Sequence, residues 1–112
     1  MLDRLPTHLW VMAEVRRCNG EGIPAVVARR GEKVGGMVLL RLNRLEAGSL
    51  LLTEARDLEG RRGWMPALAG RLVGEEEAQA YIDRAVKRDP DLWVVEVEDR
   101  LGRNPFEGRI LA

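Results

Sequence analysis

Pro90 sits at the junction that most constrains this chain. Before it runs an amphipathic segment, Glu75 to Arg88, and after it a β-branched segment, Leu92 to Asp99. In the first, Ala78, Tyr81, Ile82, Ala85 and Val86 recur at spacings of three and four, so one face of a helix is apolar. Glu75, Glu76 and Glu77 stand at the positive end of that helix, and Lys87 and Arg88 at the negative end. Proline disfavours helical dihedrals at the residue before it, so the helix must stop at Asp89. The following strand alternates Trp93, Val95 and Val97 on one face with Val94, Glu96 and Glu98 on the other. Trp93 is the expected anchor beneath a helix. A helix that feeds through a rigid turn into a strand that crosses the interior and emerges in a cluster of acids belongs to a mixed α and β domain.

The rest of the chain fills in that domain. Thr7 is placed to cap a helix running from about His8 to Glu21, ended by Gly20 or Gly22. Its apolar residues wrap nearly around the axis, and Leu9, Val11, Ala13 and Val15 also alternate, so an extended start is an open alternative. Residues 24–30 and 37–44 are apolar and β-branched, and the glycine-bearing turn between them predicts a hairpin. Ser49–Glu54 and Gly63–Leu68 are weaker third and fourth strands around an exposed turn at 59–63. Pro66 cannot donate to a ladder, which puts the fourth strand at an edge. Residues 101–112 have no periodicity and are expected to be an irregular tail on a single domain whose core spans about 7–100. The order is α-β-β-β-β-α-β, an α+β fold with a mainly antiparallel sheet and two helices. The hairpin strands are apolar on both faces, so either the helices cover both sides or a second subunit covers one.

Composition bounds the function. The 112 residues fit one domain, and 46% hydrophobic residues suffice for a core. Formal net charge is zero, which counts against a dedicated nucleic-acid binder; such proteins carry a basic surplus to neutralise phosphates. The first 44 residues hold eight basic and four acidic side chains, so the remainder is correspondingly acidic. Cys18 is the only cysteine, which excludes an intrachain disulfide and a multi-cysteine zinc site. Neither a signal-peptide pattern nor a membrane-length apolar run is present, and a cytoplasmic location is expected.

Several stretches resemble a known family. They are Trp10-Val11, Arg16-Arg17-Cys18, the run from Gly22 to Gly31, Asn43-Arg44-Leu45, Trp64, the Glu75–Ile82 helix and the Asp89–Arg100 block. With these the chain resembles a mainly alphaproteobacterial family of unknown function, numbered 1491. The resemblance extends from Trp10 to Gly102 and is most specific at Asp89–Arg100. It implies no activity, substrate or cofactor.

The residues with chemical potential are few. Glu96, Glu98 and Asp99 form the densest carboxylate group and could offer oxygens to a divalent cation. The acid-x-Lys pair of restriction-type nucleases is missing, since Glu98 stands where lysine would. Two carboxylates on one strand face are ordinarily solvated or paired with arginines across the sheet, and Arg41 is a natural candidate partner. Arg16, Arg29, Arg30 and Arg41 are candidates for an anion pocket. The glycines match no phosphate-binding loop. His8 is the sole histidine, Ser49 the sole serine, and Cys18 has cations but no base nearby in sequence. The leading expectation is a non-enzymatic protein acting through self-association, as a homodimer, or as an accessory subunit to a protein partner, without cofactor, metal or membrane. The rival is a small anion-binding protein or metal-dependent enzyme using the arginines with Glu96, Glu98 and Asp99.

Overall fold

In the structure, a computed structural model that describes residues 5–111, one sheet carries all the strands. The elements are α1 (Thr7–Gly20), β1 (Ala25–Arg29), β2 (Val38–Asn43), β3 (Ser49–Arg56), β4 (Arg62–Pro66), α2 (Glu75–Arg88), β5 (Trp93–Glu98) and β6 (Arg109–Ile110). The strand order is β1-β5-β2-β3-β4-β6. The β2–β5 and β4–β6 pairs are parallel and the other three antiparallel, so the α+β class holds with a mixed sheet. Among the described residues no helix is long and apolar enough to cross a membrane.

The expected β1–β2 hairpin does not form. β1 and β2 do run antiparallel, but β5 lies between them and bonds to both. Trp93, Val94, Val95 and Val97 of β5 are buried, and a slot between two strands pairs both edges of this apolar strand. The 31–36 connection therefore arches over the entry of β5. Glu32 N donates to Asp91 O, Trp93 N to Met37 O, and the Trp93 indole N–H to Glu32 O at 2.8 Å. The Glu32 carboxylate accepts from the Val34 and Gly35 amides, which hold its pKa below the ordinary range. Glycine is required at both ends of the arch. A Cβ at Gly31 would lie 2.2 Å from Asp91 O, and one at Gly36 2.5 Å from it.

The two helices cover opposite faces. Trp10, Val11 and Cys18 of α1 pack on Val38, Leu40, Leu42, Trp93, Val95 and Val97, while Ala78, Ile82 and Ala85 of α2 pack on Leu39, Leu51 and Val94. The apolar surplus of the central strands is thus consumed internally. α1 is helical from its start, so the extended alternative for Leu9–Val15 falls away. Thr7 is not the cap. Pro6 holds that position, and the Thr7 hydroxyl donates to Gly36 O at 2.8 Å and ties α1 to the arch. Gly22, at φ +80°, closes the C-terminal end, with Ile23 N donating back to Cys18 O. α2 ends before Asp89-Pro90 as its sequence dictates.

The tail is irregular over residues 101–108, as expected, but it packs into the domain and ends in a short strand. Phe106 is buried edge-on to Trp10 and near Trp64, and β6 pairs with Gly63 and Trp64 of β4. The Trp10 and Trp64 indoles both donate to Glu107, and Glu107 N donates to Glu14 on α1. β6 therefore replaces β4 as the edge, although it stops short of Pro66, which needs no ladder partner on that side. The third strand runs on to Arg56, the fourth starts one residue early at Arg62 and stops at Pro66 instead of Leu68, and the turn falls at 57–61, where the Arg61 amide and guanidinium hold the Asp57 pKa low.

Candidate functional site

The carboxylates do not form one cluster. Glu96 and Glu98 share the α2 face of β5, as alternation requires, and Asp99 turns away at the strand end. Glu96 accepts from the Asn43 amide at 3.3 Å, and Glu98 pairs with Arg100. Asp99 is buried, bonded to the Arg44 guanidinium at 3.2 Å and the Arg103 amide at 2.8 Å. Arg41 lies beside Glu96 in the strand register, yet its guanidinium does not go there. It reaches Glu75 in the first turn of α2 at 2.6 Å and Ser49 Oγ at 3.1 Å, and that contact lowers the Glu75 pKa. The expected Arg41 pairing is corrected accordingly, because the helix N-terminal carboxylate approaches from above the sheet. Among the described residues, no three of His, Cys, Asp and Glu gather to hold a metal ion.

The four candidate arginines also disperse. Arg16 is exposed on α1. Arg29 donates to the carbonyls of Pro90 and Leu92 at 2.9 and 2.8 Å, clamping β1 to the turn before β5. Arg30 lies over the Trp93 ring at 6.0 Å. Only Arg29 and Arg41 share a concavity, about 460 Å³ between β1 and α2, which Glu96, Ile82, Val86 and Val94 also line. Glu96 is half-buried and meets only the neutral Asn43 amide, so removing its charge should be mild. Glu96→Gln is expected to change stability by no more than about 1 kcal/mol, measured by urea denaturation. A larger loss would mean that Glu96 does more than meet Asn43.

A second concavity, about 650 Å³, opens between the end of α1 and the 99–105 turn. Ile23, Pro24 and Leu101 supply apolar surface, and Arg17, Arg100, Arg103 and Glu98 supply charge. Arg17 is held by Glu14 at 2.9 Å, by Glu21 and by the Pro105 carbonyl, and its pKa is raised, chiefly by the Glu14 bond. Sequence reasoning missed Leu101, Arg103 and Asn104, since nothing local ties the tail to α1. It also missed a buried ion pair. Glu54 of β3 faces Arg62 of β4, and the Arg62 guanidinium lies 3.8 Å from the Trp10 ring centre. Alternation was a usable signal there, because Glu54 shares the parity of the inward Leu50 and Leu52.

Cys18 is buried in the α1-side core, and burial raises its thiol pKa, the opposite of what a nucleophile needs. His8 Nδ1 lies 3.1 Å from Lys33 O beside the arch.

The family model described as "Protein of unknown function (DUF1491)" matches residues 5–107. The crystal structure of a DUF1491 family protein from Caulobacter crescentus CB15 superposes with a TM-score of 0.83 at 40% identity, covering 96% of this chain and 99% of that one. A solution structure of a DUF1491 family protein from the same organism gives 0.80 at 39% identity over 97% and 98%. A solution structure of a protein from A. tumefaciens gives 0.71 at 28% identity over 93% and 99%. No curated protein matches.

Proposed function

The chain belongs to the DUF1491 family, described as protein of unknown function, and from that premise we propose that it acts in the cytoplasm without catalysis, by self-association or as an accessory subunit. The observation that carries this reading is the committed state of the chemical groups. Glu96, Glu98, Asp99, Arg29 and Arg41 are each bonded to another group of the same chain. The carboxylates with displaced pKa values, Glu32, Asp57 and Glu75, cap turns or hold Arg41 and do not face one another across a cleft. A catalytic site needs a poised acid, base or nucleophile aimed at a substrate.

Association is supported by what remains apolar outside. Leu9 and Met12, one turn apart on α1, are 49% and 37% exposed, and Val26 on the edge strand β1 is 58% exposed. The support is narrower than the sequence implied, because the central strand faces are covered by the two helices. It also changes which substitutions are informative. Val11 and Leu39 are fully buried, so charging either would disrupt the core. Leu9→Glu with Met12→Glu leaves the core intact. Sedimentation velocity over a micromolar concentration series should show wild-type self-association that this double variant weakens, with an unchanged melting temperature. A wild type that remains monomeric throughout, and co-purifies with no stoichiometric partner, defeats the reading.

A further inference from the structure

The groove between the end of α1 and the 99–105 turn has an imbalance that the fold does not use. Each of its carboxylates already has a partner. Glu21 accepts from Arg17, Glu98 from Arg100, and Asp99 from both Arg44 and the Arg103 amide. Its donors are in surplus. The Arg103 guanidinium has no acceptor among the described residues. The side-chain nitrogen of Asn104 is buried without a partner, while its oxygen accepts from Phe106 N at 2.9 Å. Orphaned buried donors are rare in folded proteins, and this one belongs to a residue of the groove wall. Beside them lies apolar surface from Ile23, Pro24 and Leu101, the last 74% exposed. At about 650 Å³ the groove has the size of a small-molecule or chain-end site, for which roughly 300–1,000 Å³ is usual.

We propose that this groove binds the carboxylate of an amphipathic ligand, with Arg103 as its principal partner and Ile23, Pro24 and Leu101 holding the hydrocarbon next to it. A guanidinium matches a carboxylate in two parallel hydrogen bonds. Glu21 and Glu98 at the wall would repel a dianion, which disfavours phosphate; a monoanion with an apolar body meets both the donor surplus and the apolar floor. The same chemistry comes from two sources, a free aliphatic acid or the C-terminus of a chain ending in an apolar residue. The inference goes beyond association and does not depend on it, since it concerns a different surface from the α1 outer face.

The test is isothermal titration calorimetry on the full chain with four probes: hexanoate, inorganic phosphate, and a short peptide ending in leucine as the free acid and as the amide. Hexanoate or the free-acid peptide should bind, and whichever binds names the source; phosphate and the amide should not. Arg103→Ala should weaken binding by about tenfold or more, as losing a hydrogen bond to a charged group does. Arg84→Ala, on the exposed side of α2, should leave affinity unchanged. Leu101→Asp should weaken whichever of the two carboxylates binds, since it replaces the apolar contact with a like charge. Both groove residues are exposed, so the variants should keep the wild-type melting temperature. The proposal is overturned if neither carboxylate binds, if phosphate or the amide binds as tightly, or if Arg103→Ala has no effect.

Discussion

Trp93→Ala should lower the unfolding free energy by about 3–5 kcal/mol, a large fraction of what a domain of this size has. The ring is fully buried where β5 enters the sheet, against the α1-side core. Truncation removes the transfer energy of the ring and leaves a cavity that a sheet held by β1 and β2 on either side cannot collapse. It also removes the donor to Glu32 O, which fixes the arch over the strand end. Trp93→Phe should cost less, since it keeps most of the volume and loses only the N–H. Guanidinium denaturation of the three proteins measures the series. An alanine variant within about 1 kcal/mol of wild type would mean that the ring is not a structural anchor.

Glu54→Ala should cost about as much, roughly 3–5 kcal/mol, for an electrostatic reason. The side chains of Glu54 and Arg62 are 5% and 4% exposed, and their charged atoms lie 3.4 Å apart. Glu54 also accepts from the Val38 amide at 2.9 Å, where β2 begins. Removing the carboxylate takes away the counter-charge that faces a buried guanidinium and strands a backbone donor. A desolvated ion pair is nearly neutral in net stability compared with apolar residues of similar volume, but breaking one side is costly. The double variant Glu54→Leu with Arg62→Met should therefore recover much of the loss. If the single and double variants are equally unstable, the cost lies in packing against Trp10 and not in an unmatched charge.

The parts of the fold legible in the chain are those set by neighbours in sequence. α2 follows from spacings of three and four and from the proline that ends it. The faces of β5 follow from a period of two, which puts Trp93 inward and Glu96 with Glu98 on the other side, as found. The buried Glu54 follows from the same period, had it been applied to β3. The pairing of β1 was misread because a short glycine-bearing connection ordinarily closes a hairpin. Here the connection is long enough to arch over a third strand, and no local pattern distinguishes the two. The Arg41 partner was misread for a similar reason, since register alone offered Glu96 while α2 delivers Glu75 from above.

Periodicity and turn chemistry thus determined the two helices, the first five strands, their order along the chain, and the faces of α2 and β5. Tertiary structure decided that β5 divides β1 from β2, that the helices take opposite faces, and that the tail returns to seat Phe106 between Trp10 and Trp64. It also decided which charges meet, and so turned an apparent acidic cluster into separate pairs, while among the described residues the Arg103 guanidinium and the Asn104 side-chain nitrogen find no acceptor. The physical reason is range. Backbone propensity and side-chain period act over a few residues, whereas burial and charge pairing are settled between segments tens of residues apart, where the whole sheet must close around one core.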